Sequence, residues 1–234
     1  MFVSPSRKRF LYSFTLFGAL LLLITACGGG ASAPTAQQLI SSAQTAFQKA
    51  TSYHFNLKVD NPGAGQQLVI QTADGDVVTP DKLRATANAL VLGNVVQVKL
   101  ITVGTKNYMT NPITGTWGPT TAIFDPRSFS DPQKGMPAIL GNIKNPGTPA
   151  DSSVDGTSCW SIDGTLDAKY LAGILGSNAA AGSQTKITTC IGKTDNLPYL
   201  IRITGAAAQG DTAQTVHTFK LSKYGESVTI TAPI

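Results

Sequence analysis

The sequence predicts an α+β fold built around one long, strongly bent antiparallel β-sheet, with a few amphipathic helices on one side. Apolar and polar residues alternate in many segments, as in residues 53–60, and such alternation gives a strand one dry and one wet face. Gly, Pro, Asn and Asp separate these segments as turns. Helical periodicity is limited to a few short regions. Because the helices are few for so large a sheet, the dry face leaves room for an enclosed apolar cavity.

The N-terminal segment has the build of a secretory signal peptide. A basic start over residues 7–9 precedes an apolar run over residues 10–25, and the run ends in Ile24-Thr25-Ala26-Cys27. These last four residues resemble a bacterial lipobox, which implies that the Cys27 thiol receives a diacylglyceryl group and that the chain is cut just before it. An uncleaved signal anchor is the alternative, since the run approaches the ~18–20 residues that span a bilayer.

The lipobox divides the chain into three parts. We expect a signal peptide (residues 1–26), a lipidated cysteine with a flexible tether (residues 27–34) and one folded domain (residues 35–234). The expected location is the extracytoplasmic face of the cell membrane, where the lipid anchor holds the domain. Three of the 18 basic residues lie in the signal peptide, which leaves 15 against 13 acidic residues. This balance excludes the clustered basic face of a nucleic-acid binder.

The predicted domain opens with a helix and continues as a meander of strands. Thr35 is the expected N-cap of a helix that ends near Ala50, with apolar residues at helical spacing on one face. Strands are predicted over residues 53–60, 68–72, 77–78, 83–92 and 95–103, with turns at Asn61-Pro62-Gly63, Asp74-Gly75, Pro80-Asp81 and Gly93-Asn94.

Helices then interrupt the meander before strands return. Residues 125–142 are apolar but divided by prolines, which predicts short helical pieces. Asp167 is the expected cap of a short helix that ends at Leu175. The remaining strands are predicted over residues 151–164, 184–191, 199–204, 215–222 and 228–231.

Residues suited to catalysis are few, and none forms a recognised catalytic motif. His54 and His217 fit hydrogen-bonded sheet histidines better than catalytic ones. The carboxylates of Asp74 and Asp76 fit a hairpin turn better than acid–base chemistry. Gly-x-Ser-x-Gly, a Walker loop, HExxH and an EF-hand loop do not occur in the sequence. We therefore expect no catalytic residue, no metal and no cofactor, in a protein that is not an enzyme.

Two cysteines remain besides Cys27, namely Cys159 and Cys190. In an exported domain they favour a disulfide. The bridge would close a loop of about thirty residues and stabilise the fold by roughly 3–4 kcal/mol in the chain-entropy model. A metal site is the less favoured alternative, because two cysteines without a nearby pair of histidines supply too few ligands.

Several segments, taken in order, resemble a known family. The lipobox, tether, helix, meander and helical insert are followed by GTSCWSIDGTLD at residues 156–167 and NLPYLIRI at residues 196–203. The chain ends in Leu-Ser-x-Tyr-Gly-x-x-Val-Thr-Ile-x-x-Pro over residues 221–233. Over essentially the whole mature chain it resembles the LppX/LprG (LppX-LprAFG) lipoproteins of mycobacterial envelopes. The resemblance implies a half-barrel similar to the LolA/LolB lipoprotein carriers, with helices on the concave face over an apolar cavity.

The resemblance further implies a membrane-anchored lipoprotein that binds acylated lipids or lipoglycans and carries or presents them across the cell envelope. A lipid exporter is the expected protein partner. The alternative is a non-catalytic envelope scaffold with a filled core, acting through protein contacts. The residues expected to line a cavity come from apolar strand faces and helical segments: Phe55, Leu57, Val59, Ile70, Leu83, Ala85, Val98, Leu100, Ile139, Leu140, Leu171 and Leu175.

Overall fold

The computed structural model describes residues 1, 34–63, 68–91, 93–121, 125–175, 179–180 and 182–234. Cys27, together with nearly all of the predicted signal peptide and tether, therefore lies outside the described residues. Residues 35–234 form a compact unit. Its elements in chain order are α1 (Ala36–Gln48), β1 (Ser52–Asp60), β2 (Leu68–Val78), β3 (Lys82–Val91), β4 (Asn94–Val103), β5 (Lys106–Thr110), β6 (Trp117–Pro119), α2 (Arg127–Ser130), α3 (Met136–Gly141), β7 (Ala150–Val154), β8 (Thr157–Asp167), a 3-10 helix (Ala168–Leu171), α4 (Ala172–Leu175), β9 (Gln184–Gly192), β10 (Pro198–Thr204) and β11 (Val216–Ser222).

The eleven strands of the described part belong to one antiparallel sheet, in the order β6-β5-β4-β3-β2-β1-β11-β10-β9-β8-β7. Each half is a meander, and the pairing of β1 with β11, with Leu57 opposite Phe219, joins the two halves. Strands β6 and β7 are the two edges, so the sheet is open. Open sheets of about ten strands or more curl because each strand twists against the next. The predicted long, bent antiparallel sheet is confirmed as an open half-barrel with few helices.

The core lies on one face of this sheet, here called the inner face. Alternation along β1 places Tyr53, Phe55 and Leu57 on the inner face and their polar neighbours on the outer face. Helix α1 packs on α3 and contacts β9, while the 3-10 helix contacts β8. These helices close the inner face over β8–β10, where the isoleucines are at most 1% exposed: Ile162, Ile187, Ile191, Ile201 and Ile203.

Helix α1 begins at the predicted N-cap. The Thr35 hydroxyl accepts a hydrogen bond from Gln38 N (3.3 Å), and Gln38 Oε1 accepts one from Thr35 N (2.9 Å). This capping box satisfies two backbone donors that a helix start leaves unpaired. The helix buries Leu39, Ile40 and Phe47 and ends at Gln48, two residues before the predicted end. Within the described residues, no helix has the length and apolar character needed to cross a membrane.

The predicted turn at Asp74-Gly75 is wrong. Strand β2 is continuous from Leu68 to Val78, and Asp74 pairs with Asn56 of β1 on one side and Thr86 of β3 on the other. Asp-Gly is common in turns because both residues tolerate unusual backbone angles. Here, hydrogen-bonded partners on both sides hold the dipeptide extended, so the two short predicted strands are one.

Two further strand predictions need correction. The predicted strand over residues 151–164 is divided into β7 and β8 by a turn at Asp155-Gly156, whose φ angles of 47° and 87° are left-handed. Residues 228–231 form no strand, and β11, the strand next to them in sequence, already pairs with β1 and β10 on its two sides. The C-terminal segment instead buries Ile230 and is held where the Ser52 hydroxyl donates to Glu226 O at 2.6 Å.

The predicted disulfide between Cys159 and Cys190 is present. It joins β8 to β9, and alternation along both strands places it on the outer face, opposite core residues such as Ile162. Its two cysteines are 31 residues apart. A loop of this size stabilises the fold by roughly 3–4 kcal/mol through the entropy of the unfolded chain. The thiols are therefore not available as metal ligands.

Candidate functional site

A floor of small residues lies on the inner face of β2 and β3. Ala73 and Gly75 of β2 pair with Ala87 and Ala85 of β3, and Ala89 continues the row. The side chain of each alanine is a single methyl group, and Gly75 has none. A Cβ atom at Gly75 would lie 2.2 Å from a backbone oxygen of β3, so the close approach of the two strands requires glycine there. We call these five residues the small-residue floor.

Larger apolar side chains stand on the strands that flank this floor. Leu57 of β1 pairs with Ala73, and Val98 of β4 pairs with Ala87. Leu57, Val98 and Leu100 are half-buried, packed against the core while keeping part of their surface in solvent. We call the floor and these flanking side chains together the apolar trough of the inner face. The four alanines of its floor are at most 8% exposed, so the apolar surface that it leaves in water belongs to the flanking side chains.

The twelve residues expected to line a cavity fall into three groups in the structure. One group lies in the closed core: Phe55, Leu83, Ala85, Ile139, Leu140 and Leu171. A second group is half-buried: Leu57, Val59, Val98, Leu100 and Leu175. The third is Ile70 alone, which is 36% exposed near the start of β2. The structure thus brings most of them to one face of the sheet; their contact with a ligand stays a prediction.

The sequence-based selection omits most of the small-residue floor. Ala73, Gly75, Ala87 and Ala89 were not among the expected lining residues, because a search for lining residues favours large apolar side chains. Their signal is nevertheless present in the sequence: from Leu83 to Ala89, every second residue is apolar, and three of these four are alanine. Such a run indicates a sheet face that its own side chains do not fill.

A polar cluster lies on the outer face of the same strands. His54 Nδ1 lies 2.9 Å from Asp76 Oδ1, and His54 Nε2 lies 3.1 Å from Asp74 Oδ2. Arg84 Nη2 donates to Asp76 Oδ2 at 2.6 Å. Burial alone would raise the pKa of Asp76, but hydrogen bonds and positive charge from His54 and Arg84 outweigh it and hold that pKa below its usual value. The Asp74/Asp76 pair is thus part of a strand-to-strand network, and the predicted hairpin turn is wrong.

The second histidine lies on the inner face, next to the start of β11. His217 is opposite Val59 of β1 and Ile203 of β10. Its Nε2 lies 2.7 Å from Asp211 Oδ2, and both side chains are almost fully buried. Asp211 also accepts a hydrogen bond from Ala208 N at 2.7 Å. The arrangement fastens the β10–β11 connection to the sheet, as expected for a hydrogen-bonded sheet histidine.

A separate groove of about 650 Å³ lies between α1 and the β9–β10 connection. Six of its eight lining residues are polar or charged, and none belongs to the trough: Ser41, Ser42, Thr45, Ala46, Lys49, Asp195, Asn196 and Leu197. In the part of the chain that the structure describes, no group of three His, Cys, Asp or Glu residues is arranged to hold a metal ion.

Comparison with known proteins gives two similar solved structures. The crystal structure of LprF from Mycobacterium bovis matches with a TM-score of 0.70 at 24% identity, covering 85% of this chain and 96% of that chain. The crystal structure of LppX from Mycobacterium tuberculosis matches with a TM-score of 0.59 at 19% identity, covering 84% and 98%. These likenesses establish the fold.

Sequence relatives and a family model agree with this fold. LprF of Mycobacterium tuberculosis is 28% identical over 220 residues, covering 87% of this chain and 80% of that protein. Lipoprotein LprA of the same species is 27% identical over 205 residues, covering 85% and 82%. The model of the LppX_LprAFG lipoproteins matches residues 35–230, which include all of the strands described above. The chain belongs to the LppX_LprAFG lipoprotein family.

Proposed function

We propose that this protein is a membrane-anchored lipoprotein that binds acylated lipids or lipoglycans in its inner-face trough and carries or presents them across the cell envelope. The observation that carries the proposal is the small-residue floor between half-buried Leu57 and Val98. The related protein LprF is named as a candidate diacylated glycolipid transporter, which supports the same class of ligand. The role requires no catalytic step.

The trough has the physical properties that an acyl chain needs. Methyl groups and a glycine on the floor let a chain lie close to the sheet backbone, and Leu57 and Val98 can contact it from the sides. Each CH₂ group removed from water is worth ~0.8 kcal/mol, so a sixteen-carbon chain gains on the order of 12 kcal/mol when fully buried. A surface that buries even part of the chain lowers the barrier to moving a lipid through water.

The proposed anchor is Cys27, which would hold the domain at the extracytoplasmic face of the cell membrane through a tether over residues 27–34. In that position a membrane lipid exporter could deliver lipid to the trough. We expect the intact mass of the membrane-extracted protein to show the loss of residues 1–26 and the gain of acyl groups. Cys27→Ala should abolish both changes. A processed chain of wild-type length in Cys27→Ala, or a wild-type mass without acyl groups, would contradict the anchor.

The test of the trough is a pair of tryptophan substitutions on adjacent residues of β4. Val98→Trp places a large side chain over the floor, whereas Gln97→Trp places the same side chain on the exposed outer face. Lipid that copurifies with each variant is measured by native mass spectrometry, and uptake is measured with fluorescent acyl probes. We expect Val98→Trp to reduce both several-fold with little change in melting temperature, and Gln97→Trp to leave both unchanged.

The alternative, a scaffold with a filled core, predicts a different result. In a filled core Val98→Trp would overpack and destabilise the fold by roughly 1–3 kcal/mol, without any lipid to lose. Wild-type protein that is repeatedly isolated without lipid and takes up no acyl probe would therefore reject the carrier proposal.

A further inference from the structure

Two connections at one end of the sheet, β3–β4 and β5–β6, carry no charged side chain. In an antiparallel meander, alternate connections lie at the same end. At this end, the β8–β9 and β10–β11 connections of the other half of the sheet contain Lys169 and Asp211. The β3–β4 and β5–β6 connections lie within residues 85–98 and 107–124, which contain no Asp, Glu, Lys or Arg. We call residues 93–95 and 111–117 at this end the uncharged rim.

Large apolar side chains are exposed on the uncharged rim. Val95 is 65% exposed at the start of β4, and Ile113 is 92% exposed in the β5–β6 connection. Trp117 is half-buried at the base of the same connection, where it pairs with Thr110. Single exposed aliphatic residues are ordinary on protein surfaces. Val95 and Ile113 lie at the same end of the strand pair β4–β5, and the only charged residues between them in the sequence are Lys99 and Lys106. Two exposed aliphatic residues in such a place are consistent with an interaction surface.

The β5–β6 connection pairs its own backbone N–H donors. Asn111 Oδ1 accepts hydrogen bonds from Ile113 N (2.9 Å) and Thr114 N (3.1 Å). Asn111 N donates to Thr116 O (2.8 Å), and Gly115 N donates to Asn111 O (2.9 Å). A segment can enter an apolar medium at low cost only when such donors are already paired. The backbone donors of this connection are already paired in the isolated protein.

The charged residues on strands β3–β5, behind the rim, are all basic: Lys82, Arg84, Lys99 and Lys106. Arg84 is paired with Asp76 of β2. Lys99 is exposed and is four residues from Val95 along β4, a distance of roughly 13 Å at ~3.3 Å per residue. Basic residues at that distance from an inserted tip are suited to anionic lipid headgroups, which attract Lys and Arg near a membrane surface.

We infer that the uncharged rim docks on an anionic lipid bilayer, with Val95 and Ile113 entering the apolar region and Lys99 facing the headgroups. Trp117 then lies near the interface, where tryptophan is enriched in membrane proteins. Ile70 is exposed near the start of β2, at the same end of the sheet as the rim, and it lies opposite Ala89 of the floor. Docking therefore brings this end of the trough to the bilayer. The inference goes beyond the proposed function, because docking does not require a lipid in the trough.

The test uses the two tryptophans of the chain as reporters. Full-length protein is reconstituted into vesicles of phosphatidylcholine and phosphatidylglycerol that carry bromine on their acyl chains, and quenching of tryptophan fluorescence is measured. Trp160→Phe leaves Trp117 as the reporter, and Trp117→Phe leaves Trp160. We expect Trp117 to be quenched several-fold more strongly than Trp160. The double variant Val95→Ser/Ile113→Ser, made in the Trp160→Phe background, should lose most of this quenching.

A matched control separates the rim from general surface effects. Ile234→Ser removes an aliphatic side chain that is 69% exposed, between the exposures of Val95 and Ile113, and should leave the quenching of Trp117 unchanged. Equal quenching of the two tryptophans, or quenching of Trp117 that survives the double variant, would overturn the inference. Native mass spectrometry of the same proteins keeps the two proposals apart: quenching without copurified lipid would retain rim docking and reject lipid carriage.

Discussion

Asp76 shows how a single residue can hold strands β1, β2 and β3 together. It lies in the middle of β2, and its carboxylate contacts His54 of β1 and Arg84 of β3. One side chain therefore ties together three neighbouring strands on the outer face. The inner face of β2 and β3 carries the small-residue floor, so these outer-face contacts add to the limited packing that the floor side chains provide.

We expect the free energy of unfolding to fall as the pH is lowered through the folded-state pKa of Asp76. That pKa is depressed below the unfolded value of ~3.9, so the contribution is present in full above the unfolded value and is lost as the carboxylate is protonated. Asp76→Asn should be less stable than wild type at neutral pH and should show a shallower loss of stability below about pH 4. Urea unfolding at a series of pH values measures both effects.

Asp60→Asn is the control for this prediction. Asp60 makes an exposed ion pair with Lys58 at 2.7 Å, and exposed pairs of this kind contribute little to stability. The variant should follow the pH dependence of wild type. An Asp76→Asn variant with the wild-type slope would show that the contacts with His54 and Arg84 do not stabilise the fold.

At the scale of elements, the alternation of apolar and polar residues predicts most strands. It does not show where pairing with neighbouring strands overrides a turn or strand signal in the local sequence. The helix start at Thr35 and the short helices after residue 125 follow from capping residues and prolines, which act locally. Asp74-Gly75 has a strong local turn signal, yet pairing with β1 and β3 keeps it extended. Val228 and Ile230 alternate like a strand, but no free edge of β11 remains for them.

The sequence predicts which face of the sheet carries the candidate site, but it does not predict how deeply each residue of the site is buried. Alternation assigns Leu57, Ala85 and Val98 to the dry face of the sheet. Whether a helix covers each of them depends on contacts between residues far apart in the sequence, such as Gln44 Nε2 donating to Pro137 O at 2.8 Å between α1 and α3. That is why Ile139 and Leu140, equally apolar, prove to be in the closed core.

The two halves of the continuous sheet differ in the size of the side chains on their inner faces. Over β8–β10 the inner face is covered by helices, and its isoleucines are excluded from solvent. Over β1–β4 the inner face carries the trough, the outer face carries the polar cluster, and the rim is uncharged. If the trough binds lipid as proposed, this division lets loading take place away from the isoleucine-packed core of β8–β10.

This division predicts two levels of hydrogen exchange in lipid-free protein. Local opening requires more free energy where more apolar surface is buried, so amides of β9 and β10 should exchange more slowly than those of β3 and β4. Adding a diacylated phospholipid should slow exchange in β3 and β4 selectively, while β10 serves as the internal reference. The deacylated headgroup of the same lipid should have no effect, since it lacks the chains that fill the trough. Two results would contradict the proposal that the trough binds acyl chains. One is protection of β4 as strong as that of β10 before lipid is added. The other is an equal slowing of exchange in β4 and β10 when lipid is added.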